Sequence, residues 1–173
     1  MIRVGIPRAL LYYQYYPGWK TFFEAMGAET VVSPPTNKAI FAAGNSRAVA
    51  ETCLPVKLFF GHVISLADKC DYMFIPVMRS LGGKAYHCSK FVGLPDMTKA
   101  LVPECPPILD PEVDLTEGRH RLRHTIHTLG RHFSSDKVKI EKVNFELFFK
   151  RELKHKPYDD TKLKFNLQYY IIS

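Results

Sequence analysis

Two cysteines sit where a thiol can do chemistry. Cys53 lies in Glu51-Thr52-Cys53-Leu54-Pro55-Val56-Lys57, and Cys88 in His87-Cys88-Ser89-Lys90-Phe91-Val92-Gly93-Leu94-Pro95-Asp96. In both stretches a cysteine at a turn is followed by a proline and an apolar helical run. Proline costs little in the first turn of a helix, because the N–H it lacks would be unsatisfied there anyway. A cysteine just outside a helix amino terminus feels the positive end of the helix dipole, which favours thiolate over thiol. Thiolate is the form that binds metal or attacks an electrophile. His87, next to Cys88, is placed to tune such a site by its charge or a hydrogen bond. Cys105, in a loop that follows the Cys88 helix, is the candidate third ligand, whereas Cys70 precedes an apolar strand and reads as packed core. His62 lies on a helix and reads as a hydrogen-bonded structural histidine. The run His120, His124, His127 and His132 has helical spacing, but no acidic partner accompanies it, so it reads as a solvated face.

These side chains need a frame, and the apolar pattern supplies one. Arg3–Pro7, Glu29–Val32 and Asp71–Pro76 are short apolar runs closed by Gly, Ser or Pro, and so read as strands. Pro106–Pro111 is a fourth strand between prolines, which suits a sheet edge. Pro17 opens a helix over 18–26, with Trp19, Phe22, Phe23 and Met26 on one face and Gly27 as its stop. Thr36 or Asn37 caps a short helix over 39–43, a further helical run over 46–52 delivers Cys53, and a helix over 55–66 follows. Residues 77–83 read as a loop, 84–88 as extended and 94–101 as helix. Strands alternating with helices predict an α/β fold, a doubly wound and mostly parallel sheet of Rossmann or flavodoxin type, in which ligands bind beyond the carboxyl ends of the strands. Residues 1–115 form this cysteine-bearing domain. Residues 116–157 read as a helical extension of two helices (117–133 and 136–156), and 158–173 as a tail, either an edge strand or disordered.

Composition narrows the functional classes. The chain has 173 residues, 46% of them hydrophobic and 24% charged, with a formal net charge of +7. Those are globular values, with length enough for a sizeable core. No apolar run approaches the roughly 20 residues of a membrane span, and the first residues read as a strand rather than a signal peptide. We therefore expect a cytoplasmic protein with no membrane partner. Four cysteines are too few for a disulfide framework, and a reducing compartment keeps them as thiols. The positive charge is spread over 119–164 among acidic and apolar residues, which argues against a nucleic-acid partner.

Several motifs together resemble one family. Ile2-Arg3-Val4-Gly5-Ile6-Pro7-Arg8-Ala9-Leu10, Val31-Val32-Ser33-Pro34-Pro35-Thr36, Cys53-Leu54-Pro55-Val56-Lys57, Gly61-His62-Val63 and Gly93-Leu94-Pro95-Asp96 are similar to the domain associated with acyl-CoA dehydratase activases. That domain is related to 2-hydroxyacyl-CoA dehydratase and benzoyl-CoA reductase subunits and to double-cubane cluster proteins. The resemblance spans about residues 2–150. It implies a [4Fe–4S]-type iron–sulfur cluster held by cysteine thiolates and low-potential electron transfer under anaerobic conditions. It also implies an activase ATPase or a dehydratase subunit as partner. By position, Cys53 and Cys88 match the family's cluster cysteines. Full-length members carry a second α/β domain with a further cysteine ligand, and residues 162–173 do not resemble that continuation. The nucleotide-binding signatures of the activase are missing from this sequence, so an ATPase role is not implied.

A cubane needs about four ligands, so two cysteines here would share the cluster with a partner chain, a dimer mate or non-protein ligands. Arg8, after the first strand, and Lys57, at a helix start, are the candidate contacts for an anionic ligand such as a CoA phosphate. Two functions stay open. One is an iron–sulfur electron-transfer or dehydratase-like component working with the ATP-dependent activase. The other is a metal-free interaction or dimerisation module of that system, with the aromatic cluster or the tail as its interface. Whether the chain is itself an enzyme stays open too.

Overall fold

Short apolar runs pair side by side. The computed structural model describes residues 1–80, 87–114, 116, 119–136 and 140. The strands are β1 (Arg3–Ile6), β2 (Glu29–Val32), β3 (Tyr72–Phe74), β4 (Val77–Ser80), β5 (Ile108–Leu109) and β6 (Glu112–Asp114). β2, β1, β3 and β5 form one sheet in that order, every pairing parallel. β4 and β6 form a second parallel pair. The helices are α1 (Tyr12–Met26), α2 (Lys38–Arg47), α3 (Leu54–Ile64), α4 (Ser89–Val92), α5 (Leu94–Leu101) and α6 (Arg119–Gly130). This is the expected doubly wound α/β architecture, with helices on both faces of a mostly parallel sheet. All the described residues belong to one compact unit, Met1–Val143.

Alternation along β3 divides the core into two layers. Phe74 points to one face, where its ring meets Trp19 at 4.6 Å and Phe23 at 5.0 Å, both from α1. Tyr72 and Phe23 meet Phe133 beyond α6, so that ring joins this same layer. Met73 and Ile75 point the other way, into a layer with Val56, Phe60 and Val63 of α3, Leu94 of α5 and Val102. Each fully buried side chain of this kind is worth about 1.5–3 kcal/mol, so neither layer is dispensable.

The pairs β3–β5 and β4–β6 are one ladder with a crease. Met73 pairs with Ile108 and Phe74 with Leu109; after the interruption Val77 pairs with Glu112 and Met78 with Val113, in an unchanged register. The interruption falls at Pro76 on one strand and Pro111 on the other, where the ring removes the N–H a ladder needs. The N–H groups of Ile75 and Val77 still reach the Leu109 and Pro111 carbonyls. The register slips only beyond Met78, at a bulge before Ser80. The loop expected over 77–83 is thus a strand as far as Ser80, and β6 is an addition to the sequence reading.

Two helix boundaries also depart from expectation. α1 starts at Tyr12 and carries Pro17 inside it. Packing of Tyr15, Trp19 and Phe22 outweighs the one backbone hydrogen bond that Pro17 forfeits. α2 runs through Gly44 to Arg47, and no separate helix fills 46–52. Gly44 is not a stop signal. It lies where α2 crosses α3, and a Cβ there would run into the Lys57 carbonyl oxygen; Gly61 meets the Ile40 carbonyl in the same way. Asn37 is the cap of α2, its Oδ1 accepting from the Ile40 N–H at 3.0 Å, and Gly27 closes α1 at φ 85°. The extended segment expected over 84–88, the helix over 136–156 and the tail lie outside the described residues, apart from His87, Cys88, Asp136 and Ile140.

Candidate functional site at the switch point of the sheet

Chain order reverses at β1. Its partner β2 follows on one side, and β3 stands on the other. Connections therefore leave the carboxyl ends of β1 and β3 in opposite directions, which opens a crevice between them. A cavity of about 50 Å³ lies there, lined by Ile6 and Pro7 of the β1 end, Ile75, Pro76 and Met78 of the crease, and aromatic side chains from three helices. Tyr12, Tyr15, Tyr16 and Trp19 come from α1, Phe59 from α3 and Phe91 from α4. The lining is almost wholly apolar. In the turn that forms its floor, Leu10 holds φ 55°, the left-handed conformation that disfavours any side chain by about 1–2 kcal/mol.

Beside the cavity runs a buried polar chain. Ser33 (2% exposed) follows β2, and His62 (0% exposed) lies on α3. The Arg8 N–H donates to Ser33 Oγ at 2.8 Å. Ser33 Oγ is 2.9 Å from His62 Nδ1, and Thr36 Oγ1 is 3.0 Å from His62 Nε2. The assignment that satisfies every group makes Ser33 donate to Nδ1 and leaves the proton on Nε2, directed at Thr36. Burial, helped by the Arg8 guanidinium, lowers the His62 pKa to about 4, so the ring is neutral near pH 7. A neutral ring is what this chain of donors and acceptors requires. His62 is thus the hydrogen-bonded structural histidine that its sequence context predicts.

Arg8 itself is only half-buried, yet its Nε is buried with no hydrogen-bond partner. Its neighbours Pro7 and Ala9 line the cavity. An unsatisfied guanidinium donor beside an apolar crevice is suited to an anionic group on a ligand. Lys57, the other candidate contact, donates to Asn45 Oδ1 at 3.0 Å and so braces α3 against α2.

Cys53 occupies the N-cap position of α3, as expected, and Cys88 that of α4, a one-turn helix the sequence reading did not include; both are exposed free thiols. Neither side chain caps its helix, so both sulfurs are available to an outside partner. His87 is half-buried, 6.2 Å from the Phe91 ring, and burial lowers its pKa. Cys105, the candidate third ligand, lies in the turn after α5. It packs with the α3–α5 layer next to Cys70, and burial, with Cys70 next in order, pushes its thiol up to about 12. Among the described residues, no three of His, Cys, Asp and Glu form a metal-ligand group. The α6 histidines form none either.

A doubly wound sheet with an apolar crevice at its switch point and two exposed thiols at helix N-cap positions defines the class of this domain. Residues 3–146 match the family model described as the CoA enzyme activase uncharacterised domain, and the chain belongs to that family. Searches of curated proteins and of solved structures gave no match. Among the described residues, no helix is long and apolar enough to cross a membrane.

Proposed function

We propose that the chain is a partner-dependent electron-transfer component of the CoA enzyme activase system, with Cys53 and Cys88 contributing two thiolates to a shared [4Fe–4S]-type cluster. The single observation that carries this reading is the pair of free, exposed cysteines, each at a helix N-cap with its sulfur uncommitted. Within this chain the donor set does not fit a cubane, which takes about four ligands; the other ligands would come from a partner subunit or a second copy. The unpaired Arg8 Nε supports an anionic ligand at the neighbouring crevice.

A second reading has its own support. The apolar, aromatic-lined crevice at the switch point suits a metal-free docking module for the activase or a dehydratase subunit. Anaerobic reconstitution with iron and sulfide, alone and with the activase ATPase, separates the two. The first reading predicts a brown complex that loses its iron and sulfide in Cys53→Ala, Cys88→Ala. Colourless, iron-free protein in both arms, with the partner still bound, leaves the docking module.

A further inference from the structure

Arg8 is clamped through its backbone and uncommitted at its side chain. Its N–H donates to Ser33 Oγ at 2.8 Å, and its carbonyl accepts from the Tyr13 hydroxyl at 3.4 Å. The guanidinium Nε is buried, yet among the described residues nothing accepts from it, and none of their ion pairs includes Arg8. A buried charged donor without an acceptor costs free energy that a ligand oxygen would restore. This charge lies close to the cavity. Burial, with Tyr16 next, raises the pKa of Tyr12 in the cavity wall, and Arg8 opposes that rise. Pro7 and Ala9, on either side of Arg8, line the cavity as well. In the same turn Leu10 keeps φ 55°, a strain of the kind found at ligand clamps.

The rest of the lining selects what the anion carries. Trp19, Phe59 and Phe91 offer rings, so a phosphate or sulfate entering among them would lose water with little to replace it. An anion with an apolar tail meets no such penalty. Size then limits the tail. A water needs about 10–15 Å³ and benzene fits a cavity of ~150 Å³, so about 50 Å³ admits roughly two to four carbon atoms. We propose that the crevice binds a short-chain aliphatic carboxylate, its tail among the aromatic rings and its carboxylate on the Arg8 guanidinium. The site takes from the proposed function only the anionic ligand at Arg8; it needs neither Cys53 nor Cys88.

Trp19, the sole tryptophan of the chain, lines the cavity and so reports on its contents. The test titrates the metal-free full chain with sodium butyrate, following Trp19 emission and NMR saturation transfer to the butyrate protons. Both should saturate, with a Kd of roughly 0.1–10 mM. n-Butanol, which keeps the tail without the charge, and phosphate, which keeps the charge without the tail, should each bind at least about tenfold more weakly. Octanoate, whose tail exceeds the cavity, should gain nothing over butyrate. Arg8→Gln should weaken butyrate by about tenfold or more and leave n-butanol unchanged. Ser33 is held by the Arg8 backbone N–H, which this substitution keeps, and the ligand series on the native chain decides the matter without any variant. Absent saturation transfer, equal binding of n-butanol or phosphate, tighter binding of octanoate, or unchanged butyrate affinity in Arg8→Gln would overturn the proposal. None of these results bears on iron in the reconstituted complex, and an iron-free complex does not bear on butyrate binding.

Discussion

Ser33 and His62, from opposite sides of the β2–α3 connection, meet at 2.9 Å in a fully buried hydrogen bond that a neutral imidazole alone can accept. The bond joins the end of β2 to the body of α3. Through the Arg8 N–H it also joins β1.

The sign of the pH dependence follows. The folded His62 pKa, about 4, lies below the ordinary 6.5. The unfolded chain therefore binds the proton more readily, and stability falls as pH drops. His62 destabilises nothing above pH 6.5. The loss develops between 6.5 and 4 and reaches about 3 kcal/mol. Urea unfolding from pH 8 to 4 should show this limb in the native sequence, and His62→Gln should flatten it at lower overall stability. An identical acid limb in both would refute the neutral, buried state.

Gly44 and Gly61 should resist replacement. In an open helix, Gly→Ala stabilises by about 1 kcal/mol. Here the added methyl group meets backbone carbonyls of the facing helix, which cannot swing aside as a side chain can. Gly44→Ala and Gly61→Ala should each destabilise by about 2 kcal/mol or more, read as a lower urea midpoint. A gain in stability would show that α2 and α3 do not cross so closely.

Arg47 links α2 to the α5–β5 loop with two bonds to Glu104 and one to the Leu101 carbonyl at 3.2 Å. The pair is well exposed, so screening limits it. Arg47→Ala should cost about 1 kcal/mol, and Arg47→Lys should recover only part of it, because lysine cannot match the fork. Full recovery by lysine in denaturant titration would contradict the bidentate geometry.

The exposed cysteines should be silent in stability. Cys53→Ser and Cys88→Ser remove no packed surface and should shift unfolding by less than about 0.5 kcal/mol. Cys70→Ser places a hydroxyl in the buried layer and should cost about 1–3 kcal/mol. Thermal melts of the metal-free protein check both. A large effect of Cys53→Ser would mean that its sulfur is packed rather than presented.

Much of this architecture was legible from residue pattern. The four runs that became β1, β2, β3 and β5 were readable because apolar residues lie between Gly, Ser and Pro breaks. The same breaks misled at the crease. Pro76 and Pro111 read as ends, while the ladder resumes one residue later because both strands are interrupted at the same level. Pro17 read as a helix start, and the helix through Gly44 read as two pieces, 39–43 and 46–52. Each is tolerated through tertiary packing, which a local pattern does not contain. At the site, the helix start at Cys53 was legible from its Cys-x-Pro signal, whereas Gly93-Leu94-Pro95 marks the start of α5 and the one-turn helix after Cys88 was not read. The neighbourhood of Cys105 was not legible either, since it depends on which strand lies beside β3. Nor was the Ser33–His62–Thr36 chain, which exists only once β2 and α3 are packed.

The matched prolines of the β3–β5 ladder impose a length rule on this part of the chain. A crease shared by two strands works only while both fold at the same rung. Adding or removing one residue between Phe74 and Val77, or between Leu109 and Glu112, would move the crease on one strand alone. Met78 and Val113, now buried at 1% and 0% exposure, would then be turned outward in one strand and not the other. Substitutions can accumulate in these two segments, but insertions cannot, unless they arrive in both at once.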